Sequence, residues 1–104
     1  MIDQILQERG NNYGDFHTQA NLSQTLKSII TQHYYSVHGK ALPSFMAESL
    51  AMICHKIARI VNGNPMYKDS WVDVCGYSQL VVDILNKAEE NNKTKPTEEE
   101  KNNV

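Results

Sequence analysis

Met46, Leu50, Ile53, Ile57 and Ile60 are separated by four, three, four and three residues, the spacing of one face of an α-helix. A strand would need alternation, which no stretch of this chain sustains for long enough. Glu48, Met52, His55 and Arg59 repeat the helical spacing on a neighbouring face, with Lys56 beside them. Asn62-Gly63-Asn64-Pro65 then stops the helix. Asp69 and Asp73 follow one turn apart on the next helical segment, so a short linker joins two helices able to pack as a hairpin.

The remainder is helical as well. Ile2 to Arg9 forms a short helix with Ile2, Ile5 and Leu6 on one side, closed by Gly10. Asn11 to Phe16 reads as a turn, since Asn and Gly tolerate positive φ. A second helix begins between Phe16 and Thr18 and carries Leu22, Leu26, Ile29, Ile30 and Tyr34 as its apolar stripe. Gly39 and Pro43 bracket a loop, and Ser44 is the expected N-cap of the third helix. Asp69 or Ser70 is the expected cap of the fourth, with Trp71, Val74, Ser78, Val81, Val82 and Leu85 as its core stripe. Ala47, Ala51, Cys54 and Ala58 form a stripe of small residues that lets another helix come close. Gly76, inside the fourth helix, suggests a close approach by a backbone or a ligand.

The expected architecture is therefore all-α, a compact bundle of about four helices. Residues 1–88 make one domain, and residues 89–104, rich in Lys, Glu, Asn and Thr, make a disordered polar tail. A single domain of this size buries little surface, so association into a homo-oligomer is expected to add stability. The net charge of −2 speaks against a general nucleic-acid binder but leaves room for a local cationic pocket. No signal-peptide pattern or membrane-length apolar run is present, and a cytoplasmic chain is expected. In that compartment Cys54 and Cys75 read as reduced, buried thiols, the alternative being a disulfide between the two helices.

Two groups of side chains point to chemistry. Glu48, Asp69 and Asp73 would supply carboxylates for a metal such as Mg²⁺ if the hairpin brings them together. The competing reading gives each an N-terminal helix role, as cap or as partner of the helix dipole. The cations Arg9, Lys56 and Arg59 suit phosphate, and Tyr13, Phe16, Trp71 and Tyr77 offer aromatic faces. The competing reading pairs Arg59 with Glu48 or Asp73 and places the aromatics in the core. His55 either orients a ligand or hydrogen-bonds to Glu48 or to the second helix.

Arg9-Gly10-x-x-Tyr13-Gly14-Asp15-Phe16, His55-Lys56-Ile-Ala-Arg59-Ile and Asp69-x-Trp71-x-Asp73-x-x-Gly76-Tyr77 together resemble a group of small bacteriophage and prophage proteins similar to the all-α MazG-like nucleotide pyrophosphohydrolases. The resemblance covers nearly the whole chain except the tail. It implies about four helices, oligomeric assembly and a nucleotide-sized pocket between helices. The MazG-like enzymes carry Glu-Glu-x-x-Glu on one helix and Glu-x-x-Asp on the next, and bind Mg²⁺ with them. Here the first helix offers Glu48 alone, and Ser70 stands where the second pattern would need its Glu. Losing those ligands should cripple Mg²⁺-assisted cleavage and leave an anion pocket intact.

The expected function is capture of a nucleotide or nucleotide-derived signalling molecule without turnover, with no cofactor required. Such a protein would serve as an anti-defence sponge. Its site would comprise Arg9, Tyr13, Phe16, His55, Lys56, Arg59, Trp71, Asp73 and Tyr77. The alternatives are a Mg²⁺-dependent MazG-like pyrophosphohydrolase using Glu48, Asp69 and Asp73, and a helical protein-interaction module.

Overall fold

The fold was obtained as a computed structural model that describes residues 2–94. Four helices follow in order, α1 (Ile2–Tyr13), α2 (Phe16–His38), α3 (Ser44–Asn62) and α4 (Lys68–Thr94), and the described residues contain no strand. The all-α architecture expected from the spacing is what the chain adopts. Among the described residues no helix is long and apolar enough to cross a membrane.

Helix α3 is the centre of the structure, packed against α2 on one side and α4 on the other, with α1 laid across one end of α2 and α3. Its small residues explain why. Ala58 is fully buried and Cys54 is 2% exposed, and together with Ser23 and Gln19 of α2 they form the tightest part of the core. Cys54 shares a cleft with Lys27 and Ile30 of α2, so the small-residue stripe is indeed the surface that admits a neighbouring helix. On the α4 side, the Ser49 hydroxyl donates to the Tyr77 carbonyl at 2.8 Å, and Lys56 Nζ meets Asp73 Oδ2 at 2.8 Å. The two contacts run in opposite sequence directions, which makes α3 and α4 an antiparallel hairpin.

A second organising feature is a clamp between the two turns at one end. Asn62 Nδ2 donates to the carbonyls of Tyr13 (3.2 Å) and Asp15 (3.0 Å), and the Asn64 amide donates to Asn12 O at 2.7 Å. Gly63 lies directly against the backbone of Asn12 and Tyr13, where a Cβ would overlap both. Gly14, at φ 80°, reverses the chain against Asn62 and would clash there with any side chain.

Several local expectations are corrected. Helix α1 runs through Gly10 to Tyr13, because the αL residue that ends it is Gly14, whose amide returns to Gly10 O at 2.9 Å. Ser44 is the first helical residue rather than a cap, and Pro43 holds the cap position without a side-chain bond. Helix α4 starts at Lys68, which puts Asp69 in the first turn and buries Ser70. That helix continues to Thr94, past the boundary at residue 88 set for the tail, and residues 95–104 lie outside the described residues.

The apolar stripe of α4 is rotated from the one expected, and that of α2 is not. On α2 the expected stripe holds except at Ile29, which is exposed: Leu22, Leu26, Ile30 and Tyr34 are half-buried beside the buried Gln19 and Ser23. On α4 the face toward α3 carries Ser70, Asp73, Val74, Tyr77 and Val81, and Trp71, Ser78, Val82 and Leu85 are exposed. Cys75 is exposed too, so only Cys54 is a buried thiol, and both are free. Nothing comes within 4 Å of where a Cβ of Gly76 would sit, so no close approach explains that glycine within one chain. Because α4 is apolar on more than one side, periodicity alone does not tell which side meets α3.

Candidate functional site

At the clamped end, α1, the first turn of α2 and α3 enclose a cavity of about 370 Å³, within the range of small-molecule sites. Its walls include Leu6, Arg9, Tyr13, Phe16, Gln19 and Arg59. Four residues singled out from the sequence, Arg9, Tyr13, Phe16 and Arg59, thus converge, although they come from three helices.

Arg59 is the residue around which the cavity is built. Its guanidinium lies over the Tyr13 ring, with Cζ 4.1 Å from the centroid. This contact holds the guanidinium against the ring. Arg59 Nε is buried and has no hydrogen-bond partner. Neither Glu48 nor Asp73 pairs with it, contrary to the salt-bridge alternative. A buried guanidinium nitrogen without an acceptor is costly unless something else satisfies it. Tyr13 is itself stacked on Tyr67, with centroids 5.8 Å apart and an interplanar angle of 22°.

Behind Arg59, Gln19 is 3% exposed, and its side-chain amide contacts His55 Nδ1 at 3.3 Å. This resolves the two readings of His55 in favour of the second helix. The neutral ring accepts the amide N–H at Nδ1. Burial, followed by the charges of Arg59, Lys27 and Lys56, pushes the His55 pKa below the ordinary value of 6.5. Three cationic side chains thus lie around His55, of which Lys56 is paired with Asp73.

Asp15 stands at the cavity rim as N-cap of α2. Its carboxylate accepts from the Thr18 amide (3.0 Å) and hydroxyl (3.1 Å), which, amide first, lowers its pKa below the usual value. It is committed to the cap, and the donors facing the cavity are Arg9, Arg59 and Gln19.

The neutral state of His55 has a consequence for stability. The unfolded chain takes up a proton at the ordinary histidine value, and the folded chain resists it. Stability contributed by neutral His55 is then complete above pH 6.5 and is lost as the pH falls through the depressed folded value. Thermal melts followed by circular dichroism from about pH 8 to about pH 5 should show a falling Tm over the acidic part of that range. His55→Gln, which cannot titrate, should flatten that part of the profile. An equal slope in both proteins would show that another group controls it.

The other expected site residues lie elsewhere. Lys56 is neutralised by Asp73 in the α3–α4 interface. Trp71 is half exposed, its indole N–H donating to Pro65 O at 2.8 Å. Tyr77 lines a separate, largely apolar groove between α3 and α4 with Glu48, Met52 and Asp83. The proposed metal set is not assembled either. No group of three or more His, Cys, Asp or Glu side chains among the described residues is arranged to hold an ion. Glu48 lies eight residues before Lys56, roughly 12 Å along the helix axis, and the antiparallel hairpin sends Asp69 and Asp73 toward the opposite end.

A family model described as a domain of unknown function, DUF6378, matches residues 2–85. The chain belongs to this family. No curated protein and no solved structure matches it. The family match spans all the residues that shape the cavity of this DUF6378 chain, from Leu6 to Arg59 and on to Tyr67. Sequence reasoning missed Gln19 and Tyr67. Gln19 stands four residues after the capping Asp15, on the side of α2 that meets α3, and that spacing is the signal that could have found it. Tyr67 carries no such signal, because it is brought to Tyr13 by the clamp between the turns.

Proposed function

We propose that the cavity between α1, α2 and α3 binds the phosphate group of a nucleotide or nucleotide-derived molecule and holds it without turnover. The observation that carries this reading is Arg59, fixed on the Tyr13 ring with a buried Nε that lacks an acceptor. A phosphate supplies several acceptor oxygens, and a guanidinium fork matches them in two-point geometry. Arg9 adds a second fork from α1, and the Gln19 amide adds a neutral donor. The exposed Phe16 ring and Leu6 offer apolar surface for a base or sugar. Captured in this way, the ligand would be sequestered rather than transformed, in the manner of a sponge in the cytoplasm.

The same proposal includes association with further copies of the chain. Ile57, Val61, Trp71, Val82 and Leu85 are all exposed large apolar residues on α3 and α4, and Ile29 and Val37 are others on α2. A single chain leaves these faces wet, and burying them stabilises an assembly by about 25 cal/mol per Å².

Native mass spectrometry of the purified protein tests both parts together. It should show a multimer of the chain carrying additional mass that corresponds to a nucleotide, or accepting one from an added panel of mono-, di- and triphosphates. Incubation with the same panel and Mg²⁺ should leave the nucleotides intact. Pyrophosphate release that disappears in Asp73→Asn would overturn binding without turnover.

A further inference from the structure

We infer that Tyr67, on the short connection between α3 and α4, is a positioning residue that sets the orientation of Arg59 by stacking on the Tyr13 ring. The inference rests on the reading of Arg59 as a phosphate ligand and adds a determinant outside the cavity walls. Two contacts in series support it. The Arg59 guanidinium covers the Tyr13 ring, and the Tyr13 ring stacks on Tyr67. The Tyr67 amide is held as well, donating to Asn64 O at 3.1 Å, and Asn64 donates in turn to Asn12 O. Tyr67 is therefore tied at its backbone to the turn that grips α1.

The physical role follows from the freedom of the two side chains it controls. The Tyr13 ring contacts both Arg59 and Tyr67. Without Tyr67 the ring would lose one of these two partners and be left with a cation that itself depends on the ring for its orientation. With Tyr67 in place Arg59 meets a fixed surface. A guanidinium held in one plane loses less freedom when it binds a phosphate, which raises affinity without adding any contact to the ligand. Asp69, expected as a metal ligand, is instead the carboxylate that raises the Tyr67 pKa above the usual value.

Two readouts on ¹⁵N-labelled protein test this, one of them independent of any ligand. In the free protein, the Arg59 Nε–Hε resonance should shift in Tyr67→Leu and stay near its wild-type position in Tyr67→Phe, which keeps the ring. Titration with inorganic phosphate should then show about fivefold weaker binding to Tyr67→Leu and near-normal binding to Tyr67→Phe. If Tyr67→Leu fails to fold, Tyr67→Met, which keeps bulk without a ring, makes the same comparison. Asp69→Asn should return one raised tyrosine titration, followed by ultraviolet absorbance, toward the ordinary range. A folded Tyr67→Leu whose Arg59 resonance does not move would overturn the inference. If the wild type fails to bind phosphate, the proposed function falls, and the ligand-free resonance still decides the role of Tyr67.

Discussion

Gly63→Ala should destabilise the fold by about 3 kcal/mol or more, which for a domain of this size lowers Tm by at least roughly 10 °C. The new Cβ would overlap the Asn12 carbonyl oxygen and the Tyr13 backbone, and neither is the free end of a side chain that can turn away. The φ of Gly63 is −118°, so the penalty comes from contact with a second segment and not from backbone strain. Relief requires separating the turns, which breaks the bond from Asn64 N to Asn12 O and the two from Asn62 Nδ2. Gly76→Ala makes the matched control. It sits in the interior of α4 with nothing within 4 Å of the added atom, and it should stabilise the chain by about 1 kcal/mol through helix propensity. Thermal or urea unfolding of both variants checks the pair. Loss of stability in Gly76→Ala would place another subunit against that face, and a near-neutral Gly63→Ala would show that the clamp is loose.

Arg59→Ala should weaken nucleotide binding by about 2 kcal/mol, roughly thirtyfold, while changing Tm little. Both halves have a physical basis. In the ligand-bound protein the variant loses a charge-assisted fork at the phosphate. In the free protein it loses the cation–π contact with Tyr13, about 0.5 to 1 kcal/mol, but it also removes a buried Nε that had no partner, and the two offset. Arg59→Lys keeps the charge without the planar fork and should recover only part of the affinity. Isothermal calorimetry on the three proteins, alongside thermal melts, separates binding from folding. Unchanged affinity in a folded Arg59→Ala would remove this residue from the site.

Much of the fold can be read from residue spacing, and the reason is physical. The breaks at Gly39–Pro43 and Asn62–Pro65 are strong stop signals, and the small-residue stripe on α3 predicts the close α2 neighbour. Arg9, Tyr13 and Arg59 were legible because Arg and Tyr beside a turn suit an anion wherever the chain places them. Other features depend on which of two plausible faces wins. The α4 stripe was misplaced because Trp71, Val82 and Leu85 are as apolar as the residues that meet α3, and only packing separates them. The sequence leaves Glu48 and Asp73 as partners for Arg59, whereas the hairpin register puts Asp73 within 2.8 Å of Lys56 and leaves Glu48 lining a groove with Tyr77 and Asp83. Tyr67 depends on a contact between turns distant in the chain, which local patterns do not encode.

The central claim concerns a place, and a crystal structure of the protein grown with the nucleotide that binds most tightly locates it directly. The account predicts phosphate oxygens within hydrogen-bond distance of the Arg59 and Arg9 guanidinium groups, in the cavity beside Tyr13 and Gln19. A phosphate found instead in the α3–α4 groove beside Glu48 and Tyr77, with Arg59 unchanged on its ring, would contradict it.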